Sequence, residues 1–346
     1  MRILIVRTSA LGDVVHALPV LGALRRHFPE ARIGWVVEEA MAPVLAGHPD
    51  LDELLTVRLR PWGKAPFQRR TLGELRRFLA ALRRFSPDVV LDLMGNHKAG
   101  AISALTLGRR RIGAAKPWRR EPSSALWINE RVEPRGVHAV DRGLSLLSAL
   151  GIPDEPADFG GGKIFQAAPG LSTEARAVVD SPGPFALIHP GAGWANKRYR
   201  PDWWGEAARL LRQATGVPTW VAAARGEEAL AAAAEAASSG AARVVQAPDL
   251  PTLAALLRRA TLMMGGDSGP THLAHALGTP VLMVMGPTDP ERHGPYGAPG
   301  RVLWRRLPCS FCYKRFDDTR PCLLEIPPDR VARRAAELLS GGAGAP

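Results

Sequence analysis

Cysteine is scarce: three in 346 residues, Cys309, Cys312 and Cys322, all in one late stretch. An odd number confined to one loop builds no disulfide framework, so the chain is expected to stand on its apolar core in a reducing compartment. Cys309-x-x-Cys312 with Cys322 has no clear fourth zinc ligand nearby, and the three read as free thiols. Long apolar runs are missing too: no stretch reaches the about 18 uncharged residues of a membrane span. Met1 to Arg7 leads into a strand rather than a cleavable apolar signal, so a cytoplasmic location is expected. Two nucleotide signatures are also lacking. Thr8 to Asp13 has no G-x-G-x-x-G, which argues against a dehydrogenase. His189 to Tyr199 approaches a P-loop, but Asn196 stands where the second glycine belongs and Arg198 where Ser or Thr must hold magnesium, which argues against an NTPase.

Acidic residues are outnumbered, 33 against 45 Lys and Arg, for a formal charge of +12. Residues 1–165 carry 25 basic against 17 acidic side chains, a net of +8, leaving 20 against 16, a net of +4, for the rest. Such a first half predicts an anionic partner: nucleic acid, anionic lipid, or a phosphorylated or carboxylated substrate. A GC-rich coding sequence would also scatter Arg over solvated faces and accounts for part of the excess. A nucleic-acid-binding module, the alternative from another functional class, would interleave aromatic and basic residues on a platform. Of the nine Trp, however, Trp35, Trp203, Trp204 and Trp220 fall in or beside expected core elements.

The length suits two domains of about 150 to 170 residues. Apolar strands are expected at Arg2 to Arg7, Ile33 to Val37, Leu54 to Val57, Val89 to Leu93 and Arg111 to Gly113. The rhythm repeats at Phe185 to His189, Thr219 to Ala222, Arg243 to Val245, Leu262 to Met264 and Val281 to Met285. Apolar strands alternating with helical patterns imply an α/β fold whose parallel sheets are covered on both faces. The first helical run, Val14 to Phe28, should kink or restart at Pro19. Gly151 to Pro184, rich in Gly, Pro and Asp, reads as a linker holding one helix near Thr173 to Val179. The expected organisation is 1–165, 166–327 and a closing helix with a frayed tail at 328–346.

Gly265 to Pro290 reads as a strand ending, a Gly/Ser turn, a helix and a second strand. Such a turn aims N–H groups and a positive helix end at one point, where a phosphate fits. Asp267, Ser268, Thr271 and His272 converge there, and an ordinary turn capped by Asp267 or Ser268 is the alternative. His272 and His275 alone make a weak metal pair, so no metal is expected. Lys197, on the Gly-containing loop after Phe185 to His189, offers a counter-charge for phosphate. Asp13 is either a helix N-cap or a general base, and Asp92 either structural or functional. Arg69, Arg70, Arg76, Arg77, Arg83 and Arg84 recur every seven residues beside Leu72, Leu75, Leu79 and Leu82, giving one helix an apolar and a basic face. A solvated surface helix and a docking face for anionic lipid both fit.

Taken together, T-S-A-L-G-D-V-V-H-A-L-P, D-L-M-G-N-H-K-A-G, H-P-G-A-G-W-A-N-K-R-Y and G-D-S-G-P-T-H-L-A-H-A-L-G-T-P with G-P-T-D-P resemble the ADP-heptose:lipopolysaccharide heptosyltransferases, glycosyltransferase family 9. The first half is most similar to the heptosyltransferase I branch, through W-V-V-E-E, Arg60-x-Trp62-x-Lys64 and Arg120-Glu121-Pro122. The resemblance implies a GT-B fold, two Rossmann-like doubly wound parallel-sheet domains facing a central cleft. It also implies an inverting, metal-independent transfer of heptose from ADP-heptose to the Kdo of the inner core, without a cofactor. Asp13 is then the counterpart of the general base. Lys197, Asp267, Ser268, Gly269, Thr271 and His272 fall in the donor site, and Glu227, in preference to Glu228, would hold the adenosine ribose. Arg58, Arg60, Lys64, Lys98 and Arg120 are the candidates to contact the acceptor, Kdo-bearing lipid A. The implied partners are that donor, that lipid and the cytoplasmic face of the inner membrane; no nucleic acid is implied, and the protein is expected to be a monomer. Gly191-Ala192-Gly193, where close relatives carry Thr pairs, and Asn96-His97 depart from the family pattern. They leave open a member acting on another sugar or a later acceptor, like heptosyltransferases II and III.

Overall fold

The computed structural model describes residues 1–166 and 170–341. The chain divides into two compact units, Met1–Ala167 and Ala168–Pro346. The first unit holds six parallel strands: β1 Arg2–Val6, β2 Arg32–Glu38, β3 Glu53–Val57, β4 Val89–Asp92, β5 Arg110–Ala114 and β6 Glu130–Val132. Their order across the sheet is β3-β2-β1-β4-β5-β6. Strands buried on both faces need unbroken apolar runs, and β1 and β4 supply them: Ile3, Leu4, Ile5, Val6, Val90 and Leu91 are fully buried. One face is covered by the helix Arg69–Phe85 through Phe78, Leu82 and Phe85, and by the helix His97–Leu105 through Ala99 and Ile102. The expected helix Val14 to Phe28 is two helices, Leu11–His16 and Leu18–His27, and Pro19 sits in the first turn of the second, where its missing N–H costs nothing.

The second unit repeats the plan. Its parallel strands are β7 Ala186–His189, β8 Thr219–Ala223, β9 Ala242–Gln246, β10 Leu262–Gly266, β11 Val281–Val284 and β12 Val302–Leu303. They lie in the order β12-β11-β10-β7-β8-β9, the first sheet's order read from the other edge. The expected helix near Thr173 is present as Thr173–Val179. The closing helix, Pro328–Ser340, belongs to this second core: Val331, Ala332 and Ala335 pack with Trp204 and Leu211 of the helix Pro201–Thr215. A fully buried aliphatic or aromatic side chain of this kind stabilises by about 1.5–3 kcal/mol. The expected frayed tail lies, from residue 342 on, outside the described residues, as do residues 167–169 of the expected linker.

Both sheets reverse direction between their first and fourth strands, β1/β4 in one and β7/β10 in the other. In open α/β sheets that reversal leaves a crevice beyond the strands' carboxyl ends, where ligands bind. No helix among the described residues is long and apolar enough to cross a membrane.

Candidate active site

In the first unit the crevice is bounded by the loops after β1 and β4. Asp13 is the third residue of the helix Leu11–His16, so it is not the N-cap; its Oδ2 reaches back to accept from the N-cap Ala10 N–H at 3.1 Å. Its Oδ1 lies 2.5 Å from Arg7 Nη2, and its side chain stays 43% exposed. Arg7 also donates to the Leu93 carbonyl, and Thr8 Oγ1 to Met94 Sδ at 3.1 Å, which ties the loop after β1 to the loop after β4. A half-exposed carboxylate is thus aimed by two neighbours on its own loop.

The loop after β4 is held from beneath. Asp92 Oδ1 accepts from the Met94 and Gly95 N–H groups at 3.0 and 3.1 Å, and Oδ2 pairs with Arg119; neither side chain of that pair is exposed. Arg119 Nε donates in turn to Ser124 Oγ at 2.8 Å. Asp92 is therefore structural, and Gly95, at φ +66°, turns the chain where a Cβ would come within 3.2 Å of the Arg119 backbone. Asn96 caps the next helix by accepting from Ala99 N–H at 2.9 Å, and places Lys98, exposed, in its first turn.

The other basic candidates sit differently. Burial pushes the Glu38 carboxyl up, against the pull of the Leu59 N–H and of the positive charges of Arg60 and Lys98. Arg60 and Lys98 thus both act on the charge of Glu38, the last residue of β2. Lys64 and Arg120 are exposed. The Arg58 guanidinium is already engaged, 3.1 Å from Glu39 and 2.9 Å from Glu74.

In the second unit β7 and β10 bring the two loops singled out from sequence together. Lys197 Nζ lies 2.5 Å from Asp267 Oδ2, and 4.5 Å from the centre of the Trp194 ring. Thr288 Oγ1 donates to the same Oδ2 at 2.6 Å, while His272 Nε2 pairs with Oδ1 at 3.1 Å. Burial alone would raise this carboxyl; the His272 hydrogen bond and the Lys197 charge outweigh it and hold Asp267 well below the usual carboxylate range. With both oxygens occupied, Asp267 anchors a cation, an imidazole and a hydroxyl at one point. Ser268 is the N-cap of the helix Gly269–Ala276 without capping through its side chain; its Oγ meets Thr271 Oγ1 at 3.2 Å, and Thr271 donates to the Gly266 carbonyl at 2.9 Å. Gly269 opens the helix.

Glu227 and Glu228 are separated by the structure. Glu228 is exposed and accepts from the Gly226 N–H at 3.0 Å, whereas Glu227 lies 3.1 Å from His189 Nε2, which draws its carboxyl below the usual range despite burial. A Cβ on Gly191 would fall 2.0 Å from Glu227 Oε1, so the carboxylate presses on the loop that carries Lys197.

Several participants carry no motif of their own. Arg7 and Arg119 act through partners distant in sequence. His293 is pushed down to about 4 by burial, against the opposing charge of Asp267, and its ring packs 5.9 Å from that of Tyr313. Thr288 and His189 stand inside the family motifs, but nothing in their spacing gives them these partners. The three cysteines are free, and among the described residues no group of three or more His, Cys, Asp or Glu could hold a metal ion.

Two Rossmann-like sheets, each doubly wound and carrying a polar cluster at its reversal point, make an α/β architecture of the GT-B type. Residues 75–322 match glycosyltransferase family 9 (heptosyltransferase), and the chain belongs to that family, so it is a glycosyltransferase. It is 31% identical to lipopolysaccharide heptosyltransferase 1 of Pseudomonas aeruginosa, over 98% of each chain. It is equally 31% identical to the protein of that name from Escherichia coli, over 86% of this chain and 91% of that one. Among solved structures, E. coli heptosyltransferase WaaC with ADP-2-deoxy-2-fluoro heptose superposes with a TM-score of 0.76 at 27% identity, covering 97% of this chain and 99% of that one.

Proposed function

We propose that the protein transfers L-glycero-D-manno-heptose from ADP-heptose to the Kdo of the lipopolysaccharide inner core, inverting the anomeric centre without a divalent ion. The observation that carries the reading is the Asp267 cluster: a carboxylate held ionised fixes Lys197, His272 and Thr288 beside the N-terminus of the helix Gly269–Ala276. That arrangement suits a diphosphate leaving group, whose growing charge is met by the Lys197 ammonium and the helix N–H groups rather than by mobile water, while the Thr288 hydroxyl is spent on holding Asp267. The relatives of near full length named lipopolysaccharide heptosyltransferase 1, and the neighbour holding a fluorinated ADP-heptose, select the sugar nucleotide.

In this reading the second unit, 166–327 with the closing helix, takes the donor. Lys197, Ser268, Gly269, Thr271 and His272 surround the pyrophosphate and adjoining sugar, Asp267 positions them, and Glu227 receives the ribose hydroxyls. The first unit, 1–165, takes the acceptor. The Asp13 carboxylate accepts the proton of the attacking Kdo hydroxyl as the new bond to the anomeric carbon forms and the bond to the ADP oxygen breaks. Arg7 and the Ala10 N–H hold it in place for that step. Arg60, Lys64, Lys98 and Arg120 meet the acceptor's carboxylates and phosphates, where guanidinium forks match planar anions. Arg58, the fifth acceptor candidate, stands at the start of the helix Leu59–Lys64 and is held by Glu39 and Glu74. The protein would work as a monomer in the cytoplasm, at the face of the inner membrane.

Incubation with ADP-heptose and Kdo-bearing lipid A, followed by mass spectrometry, should show one added heptose and released ADP. No added mass with this pair, and transfer to a heptosylated core instead, would assign the protein to a later step.

A further inference from the structure

We infer that the helix Arg69–Phe85, with Phe67 before it, is the element that seats the protein on an anionic lipid surface. The charge of the first unit is concentrated here. Residues 58–85 carry nine Lys and Arg against one Glu, a net of +8, which equals the whole excess of residues 1–165; the remainder of that span is balanced at 16 against 16. An Arg-rich composition alone would spread the surplus.

Geometry sorts this stretch into two faces. Phe78, Leu82 and Phe85 fill the core, so Arg69, Arg70, Arg76, Arg77, Arg83 and Arg84 are all turned outward and exposed. The helix's one acid, Glu74, is drawn inward, where it receives Arg58, Arg70 and the Trp62 indole N–H at 2.9, 2.9 and 2.8 Å. Arg84 reaches Glu53 at 3.5 Å, and Arg69, Arg76, Arg77 and Arg83 have no ion-pair partner among the described residues. The C-terminal helix is also Arg-rich, yet two of its three Arg are paired within it, Arg333 on Asp329 and Arg334 on Glu337 at 3.1 and 2.6 Å. Beside the guanidinium belt lies an apolar edge that water does not favour: Phe67 is 90% exposed, Leu72 44% and Leu75 36%. A basic belt flanking exposed apolar side chains is the pattern of a helix lying in a bilayer interface, with arginines at the headgroups and apolar groups just below them. Glu74 and Trp62 pin this helix to Leu59–Lys64, which carries Arg60 and Lys64, so the surface is continuous with the acceptor candidates. The inference rests on the proposed lipid acceptor only for that continuity; the surface itself stands on charge and exposure.

The test is co-sedimentation of the full chain with vesicles of phosphatidylethanolamine and phosphatidylglycerol, and separately with vesicles of phosphatidylcholine alone. The wild type should bind the anionic vesicles, and less so as salt rises. Since each Arg near such a surface contributes about fivefold in partitioning, R76Q/R77Q/R83Q/R84Q should lose about a hundredfold or more. Phe67→Ser should cost roughly tenfold by withdrawing one buried ring. Circular dichroism of both variants should match the wild type, since none of these side chains is in the core. Turnover of a deacylated, water-soluble Kdo acceptor should be unchanged in the arginine variant. Equal binding of variant and wild type, equal binding to phosphatidylcholine, or capture of duplex DNA with no vesicle binding would each overturn the inference. Vesicle binding without heptose transfer would overturn the proposed reaction and leave this surface standing; transfer without vesicle binding would do the reverse.

Discussion

At the scale of single residues, the site's charged groups divide into those that face a ligand and those that hold others in place. In the proposed mechanism Asp13 is of the first kind, half-exposed beyond β1 with Arg7 and the Ala10 N–H aiming it. Asp13→Asn keeps that shape and removes the proton acceptor, so turnover should fall by about 10²–10⁴-fold while ADP affinity, measured by calorimetry, stays near the wild-type value. Near-normal turnover would remove Asp13 from the mechanism. Asp267 is of the second kind, because it is buried with both carboxylate oxygens taken up by Lys197, Thr288 and His272. Glycine 191 illustrates how tightly such positioning is set: Gly191→Ala drives a methyl into the Glu227 carboxylate and should weaken ADP binding, whereas Gly193, where an added methyl would meet nothing within 4 Å, should accept the same change silently.

At the scale of elements, the central strands and their helices were legible because strands buried on both faces are written as unbroken apolar runs. Two edge strands were not. Glu130–Val132 and Val302–Leu303 are short and pair on one side only, so no apolar run marks them. The motif loops were legible as places, through glycines and polar residues just after strands, but their wiring was not. Arg119 looks in sequence like one more basic residue beside Arg120; only the fold buries it against Asp92, 27 residues away. Removing one partner of a buried ion pair strands the other charge, so Arg119→Ala should cost about 3–5 kcal/mol in urea denaturation. His293 was illegible for the same reason: only the fold buries its imidazole and brings it under the charge of Asp267, across a gap in sequence that no spacing rule spans.

At the scale of the whole molecule, stability should decline on mild acidification. His293 binds its proton near pH 6.5 in the unfolded chain but only at about 4 when folded. Between those values the unfolded state holds more protons, so stability contributed by the neutral folded imidazole is full above about 6.5 and is lost as pH falls toward 4. The loss amounts to up to about 3 kcal/mol, and His293→Gln should flatten it in denaturant titrations at pH 7 and 4.5. Asp267, whose folded value is depressed, adds a second decline below about 4, as its carboxyl finally protonates.

The shared strand order has a further meaning. In each unit the ligand-facing loops hang beyond the ends of strands whose side chains are committed to a dry interior, so rewriting a loop leaves the scaffold beneath it intact. Under the proposed function, one scaffold used twice gives two separately editable grips: a lineage could exchange the alcohol it glycosylates through changes around residues 8–13 and 93–98, leaving the proposed nucleotide grip around 191–198 and 267–272 as it was.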